Sequence, residues 1–420
     1  MGKKINFGIG FIAGRPNVCN IINKYYKFLI EQVKELDIEI DFTIFVLFDL
    51  NYQHTTRLDF YSVIPEVYKN IKIKYITPEE IDEEKKKLIS IFDLTKEEAD
   101  LFIGHGYAKA RNTILLFALK RRIDYLLFWD DDEYPLAACY ENKELTWIKQ
   151  KNILTHLKYI NSADVTYGYR CGMMSPVPYV QYNENIKEED YKAFIDALEN
   201  EVISWEKMQK LLQDNRSISY AEKDIALGEK KTEVMKSIGK DDYVLGSGIC
   251  LNLNHLNKIP AFYNPPGARG EDTFFSCSLA EKKAKVLRVP TYHFHDSFMK
   301  YTNLMKDSFP KVLRRISIDD NGIEQRFLKT TIGWIKYKPL FYYIIDRENY
   351  RKIINDAKNN LTKSVDKMNT VFETCDFSCL TRELEDYDKK VKKHYDEYLR
   401  TNEIWDKIKK KIKKLIKEQK

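Results

Sequence analysis

Four consecutive acids, Asp130-Asp131-Asp132-Glu133, follow directly on the apolar run Tyr125-Leu-Leu-Phe-Trp129. Acidic residues are poor strand formers, and the carboxyl end of a buried strand is where open α/β sheets bind ligands. Side chains alternate faces along an extended chain, so Asp130 and Asp132 can point one way while Asp131 points elsewhere. Two convergent carboxylates hold a hard divalent cation such as Mg²⁺ or Mn²⁺, which takes its other ligands from water and phosphate oxygens. A solvated acidic turn before Pro135 is the plainer alternative. Upstream, Gly104-His-Gly-Tyr-Ala-Lys-Ala-Arg111-Asn112 opens the helix that feeds this strand. That start brings Lys109, Arg111 and free backbone N–H groups near the same sheet edge, a setting that binds anions. Arginine can fork onto phosphate and Asn112 can read a ribose or base edge, with surface solvation as the alternative for both.

Gly270-Glu271-Asp272-Thr273 follows a Pro/Gly loop at 264–270 and begins an apolar helical pattern, Phe274, Phe275 and Leu279. Acids at a helix start are ordinarily caps. Beside a metal site, one of them can instead be the general base that takes a proton from an attacking hydroxyl. Further on, His293 and His295 stand at i and i+2 on one face of a strand, where a neutral imidazole completes a metal site or is a plain core group. Gly8-x-Gly10-x-x-x-Gly14 is one residue too long for a dinucleotide-binding fingerprint and starts inside a strand. These glycines are read as allowing a helix or ligand close to the sheet.

Hydrophobic periodicity supplies the elements that must position these groups. Residues 4–12 read as a strand, and Val18, Ile21, Ile22, Tyr25, Leu29, Val33 and Leu36 recur at helical steps. Phe42–Phe48 is an apolar run of the kind buried on both faces of a parallel sheet, and it ends at Asp49. A short strand at 71–76, a helix around Ala110–Ala118 and the strand 125–129 complete a βαβαβ alternation, which calls for a doubly wound sheet. Between about 185 and 240 the chain turns charged, with one helical stripe through Tyr191, Phe194, Ile195, Leu198, Val202, Trp205, Met208 and Leu212. This is read as an inserted helical element. Strand-like runs return at 163–170, 243–253 and 285–295, and beyond about 300 the chain is mostly helical. At 405–420, Trp405, Ile408, Ile412, Leu415 and Ile416 share one helical face and eight lysines crowd the other. Such a basic amphipathic helix lies on an anionic membrane surface or packs on its own domain.

Composition removes several classes. With 44% hydrophobic and 13% aromatic residues in 420, the chain is neither disordered nor collagen-like. Seven scattered cysteines without a CxxC pair suggest no disulfide framework and no zinc knuckle. The N-terminus lacks the apolar core of a signal peptide, so the cytosol is expected, with the inner face of a membrane as the peripheral alternative if the tail binds lipid. The net charge of +6 is matched by the tail, and no groove-reading motif accompanies it, so no nucleic acid is expected.

Taken in order, these parts resemble a GT-A nucleotide-sugar glycosyltransferase, over about Lys4 to Ser297. The first strand and loop (Phe11 to Asn17), Asp49 after the second strand, Ala110-Arg111-Asn112, the DxD of Asp130 and Asp132, Gly246-Ser247-Gly248, Glu271-Asp272 and Val289-Pro290 through His295 match that family's usual sequence of parts. The resemblance implies an α/β, Rossmann-like GT-A fold: a doubly wound mixed sheet in a catalytic domain at 1–300 with the insert at 185–240, a helical region at 301–404 and the basic tail at 405–420. It implies that Asp130 and Asp132 contact the nucleotide sugar and a divalent metal, Mn²⁺ or Mg²⁺. Asp49 and Arg111 would lie on the nucleoside side, with Arg15, Lys109, Asn112 and Asp131 also on the donor. Asp272 inherits the role of base in an inverting, hexosyltransferase-type reaction, and Glu271 that of an acceptor contact or support. His295 sits closest to the family's late metal-binding histidine, with His293 as the substitute. The donor implied is a UDP- or GDP-sugar, and the acceptor a hydroxyl of a glycan, a lipid-linked sugar or a protein. Gly14-Arg15-Pro16 in the first loop and the large insert depart from the pattern. A sugar-phosphate nucleotidyltransferase would need a Gly/Arg-rich phosphate loop near the start, which is missing; a catalytically silent module of the same fold would bind no donor. A glycosidase would flank a sugar bond with two acids rather than cluster them at a strand end.

Overall fold

The computed structural model describes residues 4–16, 18–33, 39–50, 55–173, 175–178, 180–213, 218–301, 304, 308–313, 322–373 and 375–418. Asn17, Leu36 and residues 419–420, which entered the readings of the first loop, first helix and tail, lie outside them, as do the side chains of Val33, Leu212, Ile416 and Lys417.

The first half alternates strand and helix: β1 (Ile5–Ala13), α1 (Val18–Val33), β2 (Ile40–Phe48), α2 (Pro65–Asn70), β3 (Lys72–Ile76), α3 (Pro78–Phe92), α4 (Lys96–Phe102), α5 (Tyr107–Lys120) and β4 (Tyr125–Asp130). Then come the short β5 (Glu133–Tyr134), a hairpin of β6 (Leu136–Glu141) and β7 (Glu144–Lys149), α6 (Asn152–Ile160) and β8 (Val165–Cys171). The inserted segment holds α7 (Glu188–Leu198), α8 (Trp205–Gln213), α9 (Lys223–Ala226) and β9 (Glu233–Val234). The sheet is completed by β10 (Ile249–Asn252) and, after α10 (Glu271–Glu281), by β11 (Val286–His295). Four helices follow: α11 (Ile323–Ile345), α12 (Tyr350–Val371), α13 (Cys379–Lys389) and α14 (Val391–Glu418).

The main sheet runs β3-β2-β1-β4-β10-β8-β11-β5, with β9 on β11. β3, β2, β1 and β4 are parallel, β10 runs against both β4 and β8, and β8 and β11 are again parallel. The expected mixed α/β sheet is present, with helices on both faces as parallel strands require. Phe7, Ile9, Phe11 and Ala13 of β1 face one core with α1. On the opposite face, a Cβ at Gly10 would stand 2.9 Å from Ile114 of α5, and one at Gly8 3.0 Å from Ile123. Gly10 therefore lets α5 lie close on the sheet, and Gly8 makes room for the turn that follows α5.

Three regions differ from the sequence reading. Beyond α8 the insert is helical only in the four-residue α9; most of 218–247 is irregular, and the strand expected over 243–253 shrinks to β10. Its helices are not a separate appendage: Tyr191, Phe194, Ile195 and Leu198 share one core with Phe327, Trp334, Leu361, Phe377 and Leu384 of the C-terminal helices. The tail's apolar face is spent on the domain, since Ile404, Trp405 and Ile408 are fully buried. The Trp405 ring stacks on Phe102 of α4 at 5.7 Å, and its Nε1 donates to the Ile259 carbonyl at 3.0 Å. Part of the basic face meets acids of the same chain, Lys407 with Glu98 at 3.5 Å and Lys411 with Asp93 at 3.4 Å. Trp405, Ile408 and Ile412 of that stripe thus pack on the domain, the second of the two dockings expected for it. Among the described residues no helix is long and apolar enough to cross one. All seven cysteines are free thiols.

Trp405→Ala removes a fully buried ring and its hydrogen bond, so it should cost about 3–5 kcal/mol. Urea unfolding of the full chain reads this as a lower midpoint; an unchanged midpoint would mean that α14 contributes nothing to the core.

Candidate functional site

From β1 the chain turns to β2 on one side, and it enters β4 on the other. The loops after β1 and β4 therefore separate between two neighbouring strands, the crevice where doubly wound sheets bind ligands. Asp131 ties these loops together. Its Oδ2 accepts the backbone N–H groups of Gly14 at 2.9 Å and Arg15 at 2.8 Å, and its Oδ1 meets the Arg15 guanidinium. Burial raises the Asp131 carboxyl to about 6, with Arg15 opposing the rise and Asp132 adding to it. Asp131, expected on the donor, is a loop anchor with both oxygens occupied. Arg15, also expected there, spends its guanidinium on Asp131 and on Asp132 Oδ2 at 3.1 Å. Asp49 sits at the end of β2, its N–H donating to the Ala13 carbonyl at 2.9 Å, so it borders the same first loop.

Asp132 is buried. His295 Nε2 lies 3.3 Å from its Oδ2, while Asp132 Oδ1 and His295 Nδ1 are buried without a hydrogen-bond partner. Burial pushes the Asp132 carboxyl up, but His295 and Arg15 outweigh it and hold the group well below the usual carboxylate range. His293 has another task. Trp129 Nε1 donates to its Nε2 at 3.1 Å, so the ring proton belongs on Nδ1, 3.4 Å from the Tyr25 hydroxyl and 3.5 Å from Glu133 Oε2. Glu133, fully buried, accepts from Ser247 Oγ at 2.6 Å and lies 3.2 Å from Arg170 Nε as an ion pair. His293 is therefore part of a buried network beneath the site, not the spare metal ligand expected.

Arg111 joins the two halves of the site. Its guanidinium, 4% exposed, donates to the Gly246 carbonyl at 2.8 and 3.2 Å, and lies 3.1 Å from Glu271 and 3.5 Å from Asp130. A Cβ at Gly246 would stand 3.0 Å from Arg111 Nη2 and 3.3 Å from Glu271 Oε1, so a side chain there would crowd both groups. Asp272 Oδ2 accepts the Gly246 N–H at 3.1 Å, and Oδ1 accepts the Thr273 N–H at 3.0 Å. Burial raises Glu271 to about 7, against the pull of Arg111 and with help from Asp272. Asn112, expected to read a ribose or base, is fully buried: its amide donates to the Phe102 and Phe262 carbonyls and accepts the Phe262 N–H at 2.8 Å. It clamps the backbone and has nothing left for a ligand. Lys109 lines a cleft of about 1230 Å³ that runs from Arg15 past the start of α5 and the 262–269 loop to α11.

The expected convergence of Asp130 and Asp132 is split, Asp130 toward Arg111 and Asp132 toward Arg15 and His295. Each carboxylate has found a cation of its own. Among the described residues no three His, Cys, Asp or Glu side chains are grouped to hold a metal ion by themselves, so the four-residue set Asp130, Asp132, His293 and His295 is not preassembled. The donor chemistry still fits a small hard cation, which needs only one or two protein carboxylates beside water and substrate phosphate. Asp132 Oδ1 is an unpaired buried acceptor, and six carboxyls (Asp130, Asp131, Asp132, Glu133, Glu271, Asp272) meet only Arg15, Arg111 and Arg170 among the arginines here.

Sequence reasoning missed Arg170 and Glu201, and named Ser247 within Gly246-Ser247-Gly248 without a role. Arg170 follows the apolar strand Val165–Tyr169 as Asp130 follows its own, so the same argument about polar residues at strand ends would have found it. Glu201 carried no such signal. It reaches from the insert to accept from Thr273 Oγ1, and from the Tyr337 hydroxyl at 3.1 Å. A scan against protein-family models finds no matching family, and a search of curated proteins returns no match.

Burial raises the Glu201 carboxyl to about 7; Thr273 opposes the rise and Asp272 adds to it. Tyr243, Cys277, Lys338 and Tyr342 also face it electrostatically. A carboxyl whose folded value exceeds its ordinary 4.5 stabilises the fold fully below that value and loses this contribution as pH rises through about 7. Glu201→Gln cannot ionise, so it should lose less stability than wild type between pH 5 and pH 8 in urea titrations. Parallel losses would rule out this carboxyl as the cause.

Proposed function

We propose that the chain is a GT-A glycosyltransferase that moves a sugar from a nucleoside diphosphate to an acceptor hydroxyl. The observation that carries the reading is Arg111, whose buried guanidinium bridges Asp130 at the end of β4 and Glu271 at the start of α10. It brings the end of the DxD strand and the acidic helix start, 141 residues apart in sequence, to one point. Support also comes from the β1/β4 crevice and from the carboxyl groups gathered beside it.

The residues divide the work in this reading. Asp131 and Arg15 fix the first loop against the β4 loop, so the donor meets a prearranged edge. Asp130 and Asp132 would hold a divalent cation, Mn²⁺ or Mg²⁺, with His295 beside Asp132. Such a cation, when bound, offsets the negative charge that develops on a departing nucleoside diphosphate. Arg111 adds a fixed positive charge at the same place, and burial strengthens its effect. Asp272 is the base: it takes the proton of the acceptor hydroxyl as the oxygen attacks the anomeric carbon in line and inverts it. The backbone N–H groups of Gly246 and Thr273 orient that carboxylate. Glu271, tied to Arg111, supports the pair. A UDP- or GDP-sugar is the donor, and the acceptor hydroxyl belongs to a glycan, a lipid-linked sugar or a protein.

The test is a thermal-shift panel of UDP-, GDP-, CDP- and dTDP-sugars, each with and without Mn²⁺, because a ligand that binds only the native state raises its melting temperature. One nucleotide class should give a metal-dependent rise that Asp132→Ala abolishes while keeping the fold. No rise with any donor, or the same rise in Asp132→Ala, would refute the reading.

A further inference from the structure

The insert reaches the start of α10 at Glu201. This residue stands in the turn between α7 and α8, and that turn is tightly built. Asn200, buried, accepts the N–H groups of Val202 at 2.8 Å and Ile203 at 3.0 Å on its Oδ1, and its amide nitrogen donates to the Leu198 carbonyl at 3.1 Å. From α11, Lys338 Nζ donates to the Glu199 carbonyl at 2.6 Å. The backbone leading to Glu201 is thus fixed both by its own turn and by a helix of the C-terminal body.

The Glu201 carboxyl in turn holds the start of α10. It accepts the Thr273 hydroxyl on Oε1 and the Tyr337 hydroxyl on both oxygens at 3.1 Å. Thr273 is the residue whose N–H donates to Asp272 Oδ1 at 3.0 Å, so its side chain is anchored on Glu201 while its backbone orients Asp272. Tyr337 meets the same turn a second way. A Cβ at Gly270 would stand 3.2 Å from its ring, and Phe274 meets that ring edge-on at 6.2 Å. Thr273 and Tyr337 are each 1% exposed, so loss of the carboxyl would deprive two buried hydroxyls of this acceptor. An unmet buried donor costs free energy, which a shift of the helix start relieves.

We infer that Glu201 is a positioning residue for Asp272: it holds the first turn of α10 so that the Asp272 carboxylate keeps its place beside Gly246. It acts through Thr273. The role of Asp272 as base rests on the transferase reading, while the hold of Glu201 on it stands on contacts alone. A base must meet its hydroxyl at hydrogen-bond distance, and a misplacement of about 1 Å costs on the order of a hundredfold in rate. The insert thereby serves the reaction through one carboxylate.

The experiment compares wild type, Glu201→Ala, Glu201→Gln and Thr273→Val, all as full chains, in two measurements. The first is hydrogen exchange by mass spectrometry over residues 270–275. The second is release of nucleoside diphosphate, with water as the acceptor, from the nucleotide sugar that gives the thermal shift in Mn²⁺. Glu201→Ala should exchange faster over 270–275 with β4 unchanged. It should also lose about tenfold to a hundredfold in kcat at an unchanged KM, because the donor's partners lie at Asp130, Asp132 and Arg111. Glu201→Gln should recover most of both losses, since its amide oxygen still accepts from Thr273. Thr273→Val removes the same contact without touching the insert, so it should match Glu201→Ala and carries the test should that variant fail to fold. In an Asp272→Asn background Glu201→Ala should cost no further kcat, which separates positioning of the base from a general loosening of the fold. Unchanged exchange over 270–275, an unchanged kcat, or the same fold-loss with Asp272→Asn already present overturns the inference and leaves the transferase reading standing. Wild type that turns over no nucleotide sugar, with exchange over 270–275 still faster in Glu201→Ala and restored in Glu201→Gln, does the reverse: the hold on Asp272 stands and the transferase reading falls.

Discussion

Arg111 is buried with a charge that it cannot lose, and the groups around it are arranged to answer that charge. It takes the Gly246 carbonyl, Glu271 and Asp130 at once, so three chain segments distant in sequence are held at fixed spacing. The guanidinium is where it is because α5 lies close on β1, and α5 lies close because Gly10 leaves no side chain in its way. A glycine in the first strand thus helps to set the position of the most constrained charge in the site. Removing Arg111 would strand the buried Glu271 and the partly exposed Asp130, and a side chain at Gly246 would crowd the arginine against them.

Much of the sheet was visible in the sequence because its strands are buried on both faces, and such strands read as continuous apolar runs ending in polar residues. β1, β2, β4 and β11 were found that way, and so was the carboxyl end of β4 as the place where chemistry gathers. Which carboxylate does what was not visible. Alternation along a strand puts Asp130 and Asp132 on one side only while the chain stays extended, and β4 ends at Asp130. Past that point the backbone turns, Asp131 drops onto the first loop, and Asp132 goes to Arg15 and His295. The same limit applies to Asn112 and His293. Each has a residue type suited to ligands, and each is consumed by a partner 150 or more residues away, which no local pattern can register. The β6–β7 hairpin escaped because its strands mix buried and exposed positions after a run of acids and a proline.

The insert and the C-terminal helices were read as two additions and are one body. Their shared core of Phe194, Phe327 and Phe377 gives that body its own apolar interior, and Glu201 is where it touches the site. A carboxylate from the insert and a tyrosine from α11 meet over Thr273, next to the proposed base. Changes in the packing of the helical body are therefore transmitted to the start of α10 through a short, dry contact instead of a long chain of side chains.

The docking of α14 has a consequence for how the protein is made. Trp405 stacks on Phe102 and bonds to Ile259, so a helix near the end of the chain closes a gap in the layer that covers the N-terminal sheet. Segments fold N-terminal first as the ribosome makes the chain, at about 5–20 residues per second of synthesis. Until residue 405 has been synthesised and delivered, Phe102 and the carbonyl of Ile259 stand without their cover, whatever the sheet has already achieved. The nascent chain therefore carries this apolar surface uncovered until α14 has been made and docks on it.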